Sequence, residues 1–432
     1  MELLILLTAG LVTGILIGLF PVFPVYAGAF ILYLTSGLWT PEQMLLFWIV
    51  ASIGSQFFAS VSAITLGIPG DASSLVYIKD VKKLSLLERN QLLWLTSRGS
   101  LISGIISLVL VWVLYYVYTA TGQTFLFSIE AKLLLLYSVI FFFIVTSQQK
   151  ILTLLLSIFG VLISPQNNYS LPSEWFHFST LFQNTTFFML ILALMMIPDM
   201  LNYRTLQIDN KNQYSTIPSQ MPWWLILKNS ILGCLVGLIP GPAAEVAASA
   251  AYSSTRTKNT SLKIVAAETA NNPGVVMMIL PLLLLGLPFT SSSLIVSNIM
   301  DSKMVALPEL ARSASTIVTG FTVFDVMIIM AVMTTVIYYA LSIQFINVYT
   351  RLVSSAYDKF KWAMIVLVLG MVGADIYIQE ISWLAYATLL IFYIAVGQVL
   401  RHFRVSPVPM IFVYLLGDQL IWATGQFLAI HF

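Results

Sequence analysis

Two short polar stretches interrupt long apolar ones, and each begins at a proline: Pro69-Gly70-Asp71-Ala72-Ser73-Ser74 and Pro288-Phe289-Thr290-Ser291-Ser292-Ser293. Proline removes a backbone donor and breaks a helix. Ser and Thr suit the position at which the helix resumes. A helix starting there presents free N–H groups and partial positive charge, which suits an anion such as a carboxylate. The candidate ligand-binding residues at the breaks are Pro69, Gly70, Asp71, Ser73 and Ser74, then Pro288, Thr290, Ser291 and Ser292. The bland alternative is a kinked helix whose hydroxyls satisfy their own backbone. A third stretch, Ala267-Glu268-Thr269-Ala270-Asn271-Asn272-Pro273-Gly274, leads into the second break. Asn271 and Asn272 carry carbonyls that can ligate Na+ and amides that can donate to a carboxylate. The alternative there is an ordinary polar helix start bounded by Pro273. Gly241, between Pro240 and Pro242, is a further candidate for shaping backbone around a ligand.

Acids inside apolar sequence are functional hypotheses by default. Asp71, Glu245 and Glu268, with Asn271, are the candidates for carrying a coupling cation, either Na+ or a proton. Glu268 has a second reading, at the cytoplasmic interface beside Lys263. Asp325 and Asp375 are expected in structural pairing or at an interface. The single cysteine, Cys234, and three scattered histidines form no metal-ligand pattern. No metal, no cofactor and no catalytic nucleophile–base pair is expected.

The elements that must hold these residues follow from composition. The chain of 432 residues is 59% hydrophobic and 9% charged, with mean hydropathy +0.92. A soluble domain carries about 25% charged residues, so an ordinary soluble enzyme is excluded and lipid is the solvent. The expected fold is all-α: a polytopic transmembrane helical bundle of about 10–14 membrane segments. Proline interrupts the apolar pairs 3–20/23–38 and 224–239/243–254, which read as re-entrant hairpins. Lys79, Lys82, Lys83, Arg89 and Arg98 mark the segment 79–98 as cytoplasmic, and the other Lys/Arg clusters fall on the same side when the helices are threaded in order.

The halves repeat. GILIGLFP at 14–21 matches GCLVGLIP at 233–240, an offset of 233 − 14 = 219 residues. LGIPGDASSL at 66–75 matches LGLPFTSSSL at 285–294 at the same offset, 285 − 66 = 219. Duplication is therefore expected, with an N-terminal transmembrane repeat over 1–210 and a C-terminal one over 220–432. The loop equivalent to 79–98 threads to the opposite side, so the repeats are expected to be inverted, an architecture of secondary transporters with binding sites at broken helices.

Four stretches resemble the large membrane subunit of the tripartite tricarboxylate transporter family: ITLGIPGDASSLVYIKD (64–80), GLIPGPAAEVAASAAY (237–252), AAETANNPGVVMMILPLLLLGLPFTSSS (266–293) and VGQVLRHFRVSPVPMIFVYLLGDQL (396–420). The resemblance implies carboxylate import driven by a cation gradient, in a bacterial inner (cytoplasmic) membrane. The implied partners are a small four-helix membrane subunit and a periplasmic binding protein. The sequence departs from the family pattern at Pro21-Val22, Phe57-Phe58-Ala59-Ser60, Gly67 and Phe289. The leading expectation is a secondary transporter of small organic anions, with di- or tricarboxylates as cargo, working by alternating access. The alternatives are a translocase for an anionic lipid such as a polyprenyl phosphate, and a non-transporting membrane assembly subunit.

Overall fold

The computed structural model describes residues 2–19, 36–67, 71, 73–121, 129–147, 149–164, 182, 184–201, 222–238, 243–257, 259–288, 290–344, 348, 365–366, 368–377, 379–403 and 405–431. Among them every regular element is helical, apart from one antiparallel bridge between Ala314 and Thr322. Five helices are long and apolar enough to cross a membrane: Pro41–Thr65, Leu87–Ala120, Thr260–Leu285, Val323–Ser342 and Trp383–His402. Shorter apolar helices accompany them, and the chain is a helical membrane bundle.

The chain divides into two compact units, Met1–Ala120 with Arg204–Phe360 and Thr121–Tyr203 with Lys361–Phe432. Each unit draws one stretch from each of the two repeats expected from the sequence. In the first unit α1 (Glu2–Leu19) packs along α2 (Pro41–Leu66), and α3 (Leu86–Ala120) follows. The later stretch of this unit supplies α4 (Trp223–Gly237), α5 (Ala243–Ser254), α6 (Thr260–Met277), α7 (Ile279–Leu285), α8 (Ser291–Ser302), α9 (Leu307–Arg312) and α10 (Val323–Gln344). Helix α6 is the centre: α3, α4 and α5 all pack on it, and residues 264–274 are buried.

Matching features recur at the 219-residue offset. Helix α2 opens on a capping box, with Gln43 N–H donating to Thr40 Oγ1 (3.2 Å) and Thr40 N–H to Gln43 Oε1 (2.9 Å), and closes at Gly67 with φ 66°. The α6–α7 pair opens on Asn259, which accepts from Ser261 N–H (3.0 Å), and closes at Gly286 with φ 71°. Both closing glycines adopt the left-handed conformation that other residues resist. Glycines also set the helix contacts. A Cβ on Gly14 would lie 2.9 Å from the Ala51 carbonyl oxygen, and one on Gly18 2.5 Å from that of Ser55. At the equivalent positions, Cβ atoms on Gly233 and Gly237 would lie 2.2 Å and 2.6 Å from the carbonyl oxygens of Ala270 and Gly274. Small residues spaced by four let backbones touch where lipid offers no hydrophobic drive to association.

The two breaks resume differently. After Gly286 the chain restarts as the twelve-residue helix α8. After Gly67 it makes only a 3₁₀ turn, Ser73–Val76, and a short turn, Ile78–Val81, before α3. The expectation of a half-helix after the first break is corrected there. Asp71 spends its side chain on a local turn, and β-branched Val76 and Ile78 with Tyr77 follow it, a poor start for a helix.

The second unit contains α11 (Trp383–His402) and α12 (Val408–His431), with the preceding helices Ile129–Thr146 and Lys150–Leu162 packed on α12. A further helix runs through Phe187–Ile191 and Ile197–Leu201 with a π turn, Leu192–Met196, between them. Pro198 has no N–H to give Leu194, and a π turn absorbs the missing bond. Gly397 of α11 meets this turn closely: a Cβ there would lie 2.8 Å from the Ala193 carbonyl oxygen.

Candidate functional site

Helix α6 carries the polar centre of the first unit. Its sequence puts Glu268, Asn271 and Asn272 at i, i+3 and i+4, so both amides share a face with the carboxylate. All three residues are buried, Glu268 and Asn271 at 1% exposure and Asn272 at 6%. The helix starts eight or more residues earlier, at its Asn259 cap, so these are not residues of a polar helix start and Pro273 lies inside the helix. Nor does Glu268 sit at an interface beside Lys263. Its two oxygens accept from the Ser60 hydroxyl of α2 and the Tyr77 hydroxyl of the first break. Pro273 also leaves the Thr269 carbonyl without its i+4 donor, adding an acceptor at the same depth.

Among the described residues, both side-chain oxygens and both side-chain nitrogens of Asn271 and Asn272 are buried without a hydrogen-bond partner. An unpaired buried amide costs about 1–3 kcal/mol, and this helix carries two in succession. Most buried polar groups in proteins are hydrogen-bonded, so two adjacent side chains with no bond at all call for a reason. A ligand that both accepts and donates, or an anion with a bound cation, would satisfy all four atoms.

Asp71 lies beside this centre. It accepts from Gln56 Nε2 (2.7 Å), Ser73 Oγ (2.8 and 2.9 Å) and Ser74 N–H (3.1 Å), while Ser74 Oγ donates to its carbonyl (2.7 Å). Its charge acts on both Glu245 and Glu268, so the structure gathers the three acids singled out from sequence. Glu245 occupies the first turn of α5, which packs against Ser73–Val76. At the second break Thr290 caps α8, accepting from Ser293 N–H (3.0 Å), and its hydroxyl meets that of Ser292 at 3.2 Å. Pro288 is buried just before it. These hydroxyls satisfy one another and their own turn, and no described contact joins them to the Asp71–Glu268 group. Pro69, Gly70 and Gly241 lie outside the described residues, as does the side chain of Ser291.

Ser60, Tyr77 and Gln56 complete the site without having been singled out. Ser60 ends Phe57-Phe58-Ala59-Ser60 and Tyr77 lies in the 64–80 stretch, so their neighbourhoods stood out but not their roles. Ser60→Ala and Tyr77→Phe should each destabilise by about 1.5–3 kcal/mol, the worth of a hydrogen bond to a charged group. Thermal unfolding in detergent measures this, and a double variant should lose less than the two single losses combined, because both act on one carboxylate.

Fold and interior together define a polytopic helical membrane protein with a buried polar centre. The chain belongs to the tripartite tricarboxylate transporter TctA family, whose sequence model matches residues 4–412. It is thus a membrane subunit of a tricarboxylate transport system, a transporter family rather than an enzyme family. No curated protein and no solved structure matches the chain.

Proposed function

We propose that this chain carries small organic anions, di- and tricarboxylates above all, across the bacterial inner membrane by alternating access driven by a Na+ or proton gradient. The observation that carries the reading is the pair of buried, unpartnered amides at Asn271 and Asn272. The amide nitrogens suit a substrate carboxylate, and the oxygens suit a cation. The acids beside them supply a reason for coupling. An anion about 5 Å from a second negative charge is repelled by roughly 3 kcal/mol at an effective dielectric of about 20. Near Glu268 and Asp71 a carboxylate therefore binds well only with a neutralising Na+ or proton. A small four-helix membrane subunit and a periplasmic binding protein are the proposed partners. Proteoliposomes holding the protein with those partners should accumulate labelled di- or tricarboxylates when a Na+ or pH gradient is imposed. Equal uptake with and without a gradient, across a broad carboxylate panel, rejects the reading.

A further inference from the structure

Another buried carboxylate belongs to the other unit. Asp375, in the helical stretch Val368–Tyr377, is completely buried. Thr186 Oγ1 (2.5 Å) and Tyr386 OH (2.8 Å) both donate to its Oδ2. Among the described residues its Oδ1 is buried with no partner. The groups that face it are neutral hydroxyls. Thr185 and Thr186 come from the start of the Phe187–Ile191 helix, Tyr386 and Tyr393 from α11, and Tyr414 from α12. Thr185 Oγ1 meets Tyr393 OH at 2.8 Å, and Tyr414 OH donates to the Thr185 carbonyl at 2.8 Å. Along the chain the nearest titratable side chains, Tyr377 and Glu380, are exposed. Among the described residues Asp375 forms no ion pair.

We propose that Asp375 is a proton-binding site of the second unit, holding a single proton on Oδ1 at neutral pH. A bare negative charge in this position would keep half of its acceptor capacity unmet in an apolar interior, which is costly without a cation. A proton on Oδ1 removes the charge and leaves both bonds at Oδ2 in place. A metal cation fits less well. Thr186 Oγ1 already accepts Met189 N–H (2.9 Å) while it donates to Oδ2, so its oxygen is not free to turn toward Oδ1. Among the described residues no group of three acid, His or Cys side chains gathers to hold a metal. Release of the proton would place charge between the cap of the Phe187–Ile191 helix and α11, which gives this unit a pH input of its own.

The test is infrared spectroscopy of the full chain in lipid nanodiscs, with carbon-13 labelled aspartate. At pH 7 the spectrum of the wild type minus that of Asp375→Asn should contain the carbonyl stretch of a protonated carboxylic acid, and raising the pH should convert it to carboxylate bands. Carboxylate bands in that difference at pH 7 overturn the proposal. Should Asp375→Asn fail to fold, Tyr386→Phe provides the second reading, since it removes one donor and keeps the Thr186 bond. It must shift the pH at which the acid band disappears. An unchanged band, or none, overturns the assignment equally.

Discussion

Replacing both Asn271 and Asn272 by leucine is expected to make the protein more stable and unable to transport. Most substitutions at a buried polar centre damage fold and function together. Here the two amides have no partner, so in the ligand-free protein they cost stability rather than provide it. Leucine has the same number of side-chain heavy atoms, branched at the same carbon, and no polar atoms. Removing two unsatisfied groups should raise stability by about 1–3 kcal/mol per position. Substrate binding should fall roughly a hundredfold or more, since each hydrogen bond to a charged group is worth about 1.5–3 kcal/mol. Thermal unfolding and proteoliposome uptake on the same preparation check both halves. Loss of stability in step with loss of uptake would show instead that the amides are structural.

The largest loss of fold is expected from a single methyl group. In Gly233→Ala the new Cβ would lie 2.2 Å from the Ala270 carbonyl oxygen, a backbone atom that cannot rotate away. Helix α4 must move off α6, and the displacement reaches the residue next to Asn271. A destabilisation of about 4 kcal/mol or more is expected, in the range reserved for gross overpacking. Gly18→Ala should behave alike, 2.5 Å from the Ser55 carbonyl oxygen. Gly373→Ala is the control, since nothing lies within 4 Å of its added Cβ. The yield of monodisperse protein on size exclusion separates the three, and a well-folded Gly233→Ala would refute this account of the helix contact.

What the sequence made legible is local. The repeat offset announces the paired glycine contacts and the paired helix ends at Gly67 and Gly286, because close approach and left-handed backbone both select glycine. The neighbouring amides of Asn271 and Asn272 stand out because polar side chains in apolar sequence are rare. Partners across the chain were not legible. Ser60 and Tyr77 lie 208 and 191 residues from Glu268, and no spacing rule joins residues that meet only after the helices pack. The same limit left open the second reading of Glu268, beside Lys263, its near neighbour in sequence. The first break misled for another reason. Proline and serine signal a resuming helix, but the short side chain of Asp71 can close a turn on its own backbone and compete with it.

The two breaks also differ in how much substitution each can bear. Asp71 and Thr290 occupy equivalent positions and close equivalent turns, each receiving the N–H three residues on, from Ser74 and Ser293. One closure is made with a charge that reaches Gln56 and acts on Glu245 and Glu268, the other with a hydroxyl that stays within its own turn. The second turn can therefore accept other capping residues, such as Ser, Asn or Asp, without losing a partner outside it, whereas Asp71 cannot be exchanged without losing the Gln56 bond.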